Sequence, residues 1–449
     1  MPDLDLAITG GTLVSARGMA AMDLGIHQGR IALIAAPGFL PPARETIDAR
    51  GLHVLPGAID VHTHIREPGL SHKETWASAT RAAAAGGVTT VFDMPNTIPP
   101  TAEAASLAQK HAIAAAQAHV DFGLYGAVLE RNLDDLLPMA AAGAAAFKLQ
   151  MGSDNPAMPP PPDGAILEAF RRIATTGLRC TVHAENQAIL HWEERRLRAA
   201  GRTDAAAHLE MHPDVAAAEA VSRVGIFSEF TGCPIHIAHE SSRHSLPHIR
   251  FARQRGVDMT AETCPHYLFL SIEDGPRLGA NFLRVKPPLR DASHRAPLWD
   301  ALLDGTIDIL STDHAPHLPE EKRRSSVWDC APGFPGVETS MPLMLSQVAH
   351  GRLTLPDYVR MACEAPARAF GLAARKGRLS PGLDADIVLV DMTRSGVLRG
   401  AALHSIGNGT PFEGMPVQGL PVRTLLRGQT IALDGAVTCH GGIGRNVRN

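Results

Sequence analysis

From residue 56 onward, short β-rich apolar runs take turns with Ala-rich stretches of helical period. The runs are AIDVHTH (58–64), VTTVFDM (88–94), DFGLYGAV (121–128), AAFKLQ (145–150), CTVHAE (180–185), IHIAHE (235–240), VDMTAET (257–263) and IDILSTD (307–313). Helical stretches such as ETWASATRAAAAGG, AEAASLAQKHAIAAAQAH and DVAAAEAVSRVGIFSEFTG separate them, and ETSMPLMLSQVAHGR follows the last. Eight strands, each followed by a helix, predict an α/β fold, a (β/α)8 TIM barrel over residues 56–377. The alternative is an open doubly wound sheet, but no GxGxxG follows any strand.

The flanks follow another pattern. Residues 1–55 and 378–449 are short strands with Gly turns, and neither is long enough to bury a core alone. They are expected to pair into one small β-sandwich domain built from both termini. A Pro-rich stretch, PAMPPPPDG (156–164), predicts a stiff loop after the fourth barrel strand.

Composition narrows the class. A net charge of −4 over 449 residues, with no basic stripe, argues against nucleic acid. No apolar stretch reaches membrane-spanning length, and the acidic start MPDLDLAITGG is not a signal peptide. Six scattered cysteines without a CxxC pair exclude a disulfide framework and fit a reducing cytoplasm. Only six of the 42 basic residues are lysines, so a lysine at an apolar strand end asks for a chemical reason.

Active sites of such barrels form at the C-terminal ends of the strands. There the sequence places His62 and His64 (first strand), Lys148 (fourth), His183 (fifth), His239 (sixth) and Asp313 (eighth). Alternation along the first strand is expected to carry on to Arg66, putting 62, 64 and 66 on one face. Four imidazoles and a carboxylate at one mouth suit Zn²⁺ or a similar first-row ion. An ammonium beside two dications is repelled; carboxylated by CO₂, Lys148 becomes a carbamate whose two oxygens can bridge them. His53, His236, His266 and His314 also sit near strand ends, and His236 should face away from His239.

The stretches DVHTHIREPG, HKETWASATRAAAAGGVTTVFDMPNTIPP, STDHAPHLPEEK and PGFPGVETSMPLM resemble the dihydroorotases of the amidohydrolase superfamily. GLDADIVLVD and TPFEG extend the resemblance into the flanking β-domain. It implies two divalent ions, Zn²⁺ first among them. His62 and His64 would hold one ion, His183 and His239 the other, with the carboxylated Lys148 bridging and Asp313 on the first. The implied reaction interconverts L-dihydroorotate and N-carbamoyl-L-aspartate in pyrimidine biosynthesis, with Asp313 as general base and then acid. Arg66, Asn96 and His317 would bind the substrate carboxylate. Lys286, in RVKPPLR, departs from the Asn or Arg common among relatives and lacks the planar fork of Arg. The resemblance also implies a homo-oligomer, dimer or tetramer. The rival readings are a hydantoinase or allantoinase sharing the metal site, and an inactive scaffold. Arg66 speaks for a carboxylated substrate, and the filled ligand positions speak against a scaffold.

Overall fold

The computed structural model describes residues 3–448; Met1, Pro2 and Asn449 of the flanks lie outside them. Eight parallel strands, hydrogen-bonded in chain order, form the barrel. They are β1 (Ala58–Thr63), β2 (Val88–Asp93), β3 (Asp121–Val128), β4 (Ala146–Gln150), β5 (Cys180–His183), β6 (Ile235–Ile237), β7 (Met259–Thr263) and β8 (Ile309–Leu310). The seam between β8 and β1 is nearly closed. A single parallel bridge joins Thr63 and His314, the His64 N–H donates to the His314 carbonyl (2.7 Å), and the Thr312 N–H donates to Asp60 (3.2 Å).

The apolar runs read as they do because a strand covered on both faces has no polar side. All residues of β2 and β3 are buried. The helix Trp76–Ala85 starts at a capping box between Thr75 and Ser78 and turns a row of buried alanines to the sheet. Gly87 (φ +79) then makes the turn into β2, where a Cβ would stand 2.5 Å from Met341.

The terminal segments build two further sheets. Leu4–Thr9, Asp23–His27, Arg30–Ala35 and Ala43–Asp48 form a four-stranded sheet. A seven-stranded sheet joins His53–Pro56, Thr12–Ser15 and Gly18–Ala21 to Ile387–Val397, Pro416–Leu426, Gln429–Leu433 and Ala436–Val437. Ile8, Leu24, Ile26, Val54, Ile387 and Leu425 pack between the two sheets in one core. At the barrel's N-terminal end, Lys376 donates to Asp121 at the start of β3 (2.7 Å) and is also bound to Asp386.

Several strands are shorter than the sequence pattern implies. β6 stops at Ile237 and β8 at Leu310, so His239 and Asp313 lie past the strand ends. β1 ends at Thr63, and Arg66 has φ +26, so strand alternation does not reach it. His239 (φ +36) and Asp313 (φ +46) also take the left-handed region. Such backbone costs of order 1–3 kcal/mol per residue and persists where the surroundings over-determine it, commonly at functional sites.

Candidate active site

Four imidazoles stand in a row at the C-terminal mouth of the barrel. Ring centroids are 5.3 Å apart from His64 to His62, 5.0 Å from His62 to His239, and 4.7 Å from His239 to His183. Asp313 Oδ1 lies 2.9 Å from His64 Nε2 and 3.4 Å from His62 Nε2. One nitrogen from each of His62 and His64 and an oxygen of Asp313 lie within 4.8 Å of one another. At the other end of the row, His183 Nδ1 and His239 Nε2 are 3.0 Å apart.

Electrostatics favour the neutral form of His62 and His239, the form in which imidazole ligates a metal. Burial, helped by Lys148, pushes His62 down to about 4. Burial, with His183 and Lys148 beside it, holds His239 well below the ordinary imidazole range. Burial opposes the charge of Asp313, but His62, His64 and His239 outweigh it and keep the carboxyl well below its usual range.

The lysines sort themselves. Lys110, Lys148, Lys322 and Lys376 are all buried. Lys110 donates to Asp93, Lys322 to backbone carbonyls and Lys376 to Asp121. Lys73 pairs with Glu321, and Lys286 with Asp154. Among the described residues, the Nζ of Lys148 is the lysine nitrogen with no hydrogen-bond partner, and it lines the same cavity as the four histidines. Burial brings its ammonium down to about 8. An orphaned amine beside the orphaned ring nitrogens His62 Nε2 and His239 Nδ1 fits a pair of metal ions bridged through a modified lysine.

A layer missed in the sequence stands behind these groups. Glu262 of β7 binds His62 Nδ1, lies 3.1 Å from His236 Nε2 and accepts the His239 N–H (3.1 Å). Glu185 reaches His183 Nε2 and His212 Nδ1, both at 2.8 Å. Both carboxylates are fully buried. Burial disfavours their charge, yet the histidines each one touches hold it below the ordinary range. The available signal was an acid inside an apolar strand run, at TAET and at HAE.

The remaining expected residues fall around one cavity of about 200 Å³, lined by Arg66, Asn96, Lys286 and His317 as well as the row of histidines. The Asn96 carbonyl oxygen is 2.7 Å from His64 Nδ1, so it orients that ring, with its amide group left over. Arg66 Nη2 lies 3.1 Å from His317 Nε2, and Arg66 Nε donates to the Pro316 carbonyl (3.3 Å). Lys286 is engaged by Asp154 at the mouth. His236 faces away from the cavity, against Phe370.

This is the mouth of a hydrolase-type barrel, and the comparisons agree. The profile of the Amidohydrolase family matches residues 53–431, and the chain belongs to that family. It is 39% identical over 451 residues to an allantoinase of Rubrobacter xylanophilus, covering 100% of this chain and 98% of that one. A dihydroorotase of Halobacterium salinarum is 40% identical over 404 residues, covering 88% of this chain and 89% of that one. The solved L-hydantoinase (dihydropyrimidinase) from Arthrobacter aurescens superposes with a TM-score of 0.97 at 35% identity, over 99% of this chain and 100% of that one. The sequence motifs put dihydroorotases first and a hydantoinase or allantoinase as the rival; the comparisons show a cyclic amidohydrolase and favour the rival, with allantoinases and hydantoinases in front of dihydroorotases. Among the described residues, no helix is long and apolar enough to cross a membrane.

Proposed function

We propose that this protein hydrolyses the amide C–N bond of a cyclic ureide, with rings of the hydantoin and allantoin type as its first candidate substrates. The observation that carries the chemistry is the partnerless, buried Lys148 beside the row of four histidines. The choice of ring rests on end-to-end similarity to an allantoinase and on the near-superposition with an L-hydantoinase.

His62, His64 and Asp313 would hold one divalent cation and His183 and His239 a second, with Lys148 as a carbamate between them. Zn²⁺ is the ion this donor set suits first. When bound, the ions supply Lewis acidity toward the ring carbonyl and a water of lowered pKa. The carbamate forms when the neutral Lys148 amine attacks CO₂: an N–C bond is made and a proton is released. Asp313 would take the proton of the attacking water and return it to the leaving ring nitrogen. The Asn96 amide orients the ring, and Arg66 takes an anionic substituent where the ring carries one. The six unpaired cysteines fit a reducing cytoplasm. The testing measurement is the metal content of the purified protein together with kcat/KM on allantoin, hydantoin and dihydroorotate. No turnover of any of the three by metal-loaded protein would overturn the reading.

One observation favours dihydroorotate as a second reading. Arg66 is buried, and no carboxylate among the described residues lies within ion-pair distance of it. A guanidinium so placed suits a carboxylate brought by the substrate.

A further inference from the structure

One ion pair crosses the mouth of the pocket. Asp154 stands in the loop after β4, Lys286 in the segment between β7 and β8, and both line the cavity that holds Arg66 and the candidate ligands. The Lys286 side chain is only 16% exposed, whereas Asp154 keeps 61%. A second guanidinium, Arg284, is 3.9 Å from the same carboxylate. Before Asp154 the loop is tied to the helix after β5, and after it the loop is held by a turn of its own. The Ser153 N–H donates to Gln187 (2.7 Å), and the Ala157 N–H to the Asn155 side chain (3.0 Å). The Asp154 carboxylate is therefore directed across the mouth, and its partner is Lys286. Residues 153–155 also wall an outer cavity of about 670 Å³, so Asp154 borders both that outer space and the cavity of the candidate ligands.

We propose that Asp154 is a specificity-determining residue that sets the charge of the ring the pocket accepts, by neutralising Lys286 at the mouth. With Asp154 in place, Lys286 presents no net charge to an entering ring, and attraction for an anionic substituent falls to Arg66 alone. Without it, two cations face the same small cavity, and an anionic ring gains over a neutral one of the same shape. Complementary charge discriminates between ligands in this way even where it adds little to affinity overall. The choice of ligands rests on the cyclic-ureide reading; the charge argument rests on the ion pair.

The test uses metal-loaded wild type, Asp154→Asn, Lys286→Met and the double variant. Calorimetric titration with orotate, a carboxylated ring, and uracil, its uncharged counterpart, reads binding without turnover. Asp154→Asn should tighten orotate by about tenfold, the effect of unmasking one partly buried charge, and leave uracil within about twofold. In the Lys286→Met background the same change should alter orotate by less than about twofold, because Arg284, the other cation near Asp154, does not line the cavity. With dihydroorotate and hydantoin as substrates, the gain should appear in KM rather than kcat. Equal effects on both rings, a gain that persists without Lys286, or no measurable orotate binding to Asp154→Asn overturns the proposal. If wild type turns over no cyclic ureide, the proposed function falls, while the titrations still decide the role of Asp154.

Discussion

Asp313 Oδ1 lies 2.9 Å from His64 Nε2, so a carboxylate from just past β8 meets an imidazole from just past β1 across the seam where the barrel closes. The contact ties barrel closure to the reacting end of the pocket. Asp313→Asn keeps the shape but cannot take up a proton. Its turnover should fall by about 10²–10⁴, the range for general acid–base catalysis, with part of the metal retained. Rates close to wild type would move the proton transfer to another group.

Lys148→Ala should lose most activity and one or both ions, and short carboxylic acids should restore part of the rate by standing in for the carbamate. Labelled CO₂ should give a carbamate signal in the wild type that is absent from the variant. Full activity in Lys148→Ala removes the carbamate from the mechanism.

Arg66→Met separates the two substrate readings. Removing one partner of a buried charge pair costs about 3–5 kcal/mol. At about 1.4 kcal/mol per decade, activity on dihydroorotate should drop by roughly two to three decades. Hydantoin turnover should change little. A wild type that prefers the neutral ring, with Arg66→Met acting on both rings alike, leaves the hydantoin reading standing alone.

The barrel was legible because parallel strands buried on both faces read as apolar runs, and Ala-rich stretches of helical period lie between them. The chemistry was legible because His62, Lys148 and His183 each end such a run. At Arg66, His239 and Asp313 the backbone leaves the strand for φ > 0, so period two is not what aims these side chains, although Arg66 does line the same cavity as His62 and His64 and His236 does face away. Glu185 and Glu262 stayed hidden for another reason. Their meaning depends on His212 and on His62 and His236, partners on other segments that local sequence does not reveal. The Asp154–Lys286 pair likewise joins two loops 132 positions apart. The branch of the family stayed open too, since motifs around a shared metal site say little about the ring it acts on.

Glu185→Gln and Glu262→Gln test the layer behind the ligands. Each leaves its histidine without a charged acceptor to fix the ring's tautomer. Metal affinity should weaken by about 10–100-fold, read by competition with a chromogenic chelator. Unchanged affinity would make these carboxylates packing elements only.

Lys376→Met should act on stability without touching the pocket. It leaves Asp121 and Asp386 buried without their ammonium. A loss of about 3–5 kcal/mol is expected, as for other broken buried pairs. The check is a lower urea midpoint at constant metal content per folded chain.

The seven-stranded sheet has a consequence for how the chain is made. Val388 pairs with Leu55, and Leu389 with Val54, across most of the polypeptide. A ribosome adding about 5–20 residues per second reaches the later strand roughly a quarter of a minute to a minute after the earlier one has emerged. During that interval the edge of His53–Pro56 that will receive Ile387–Val397 is bare, and Val54 and Leu55 lack their final cover. Unpaired apolar edges of this kind invite pairing with foreign strands. The barrel can begin to assemble on the growing chain, but the sheet beside it must wait for residues 387–397. Premature release of the nascent chain before that point should yield a sticky fragment, and the need for chaperone cover should be greatest then.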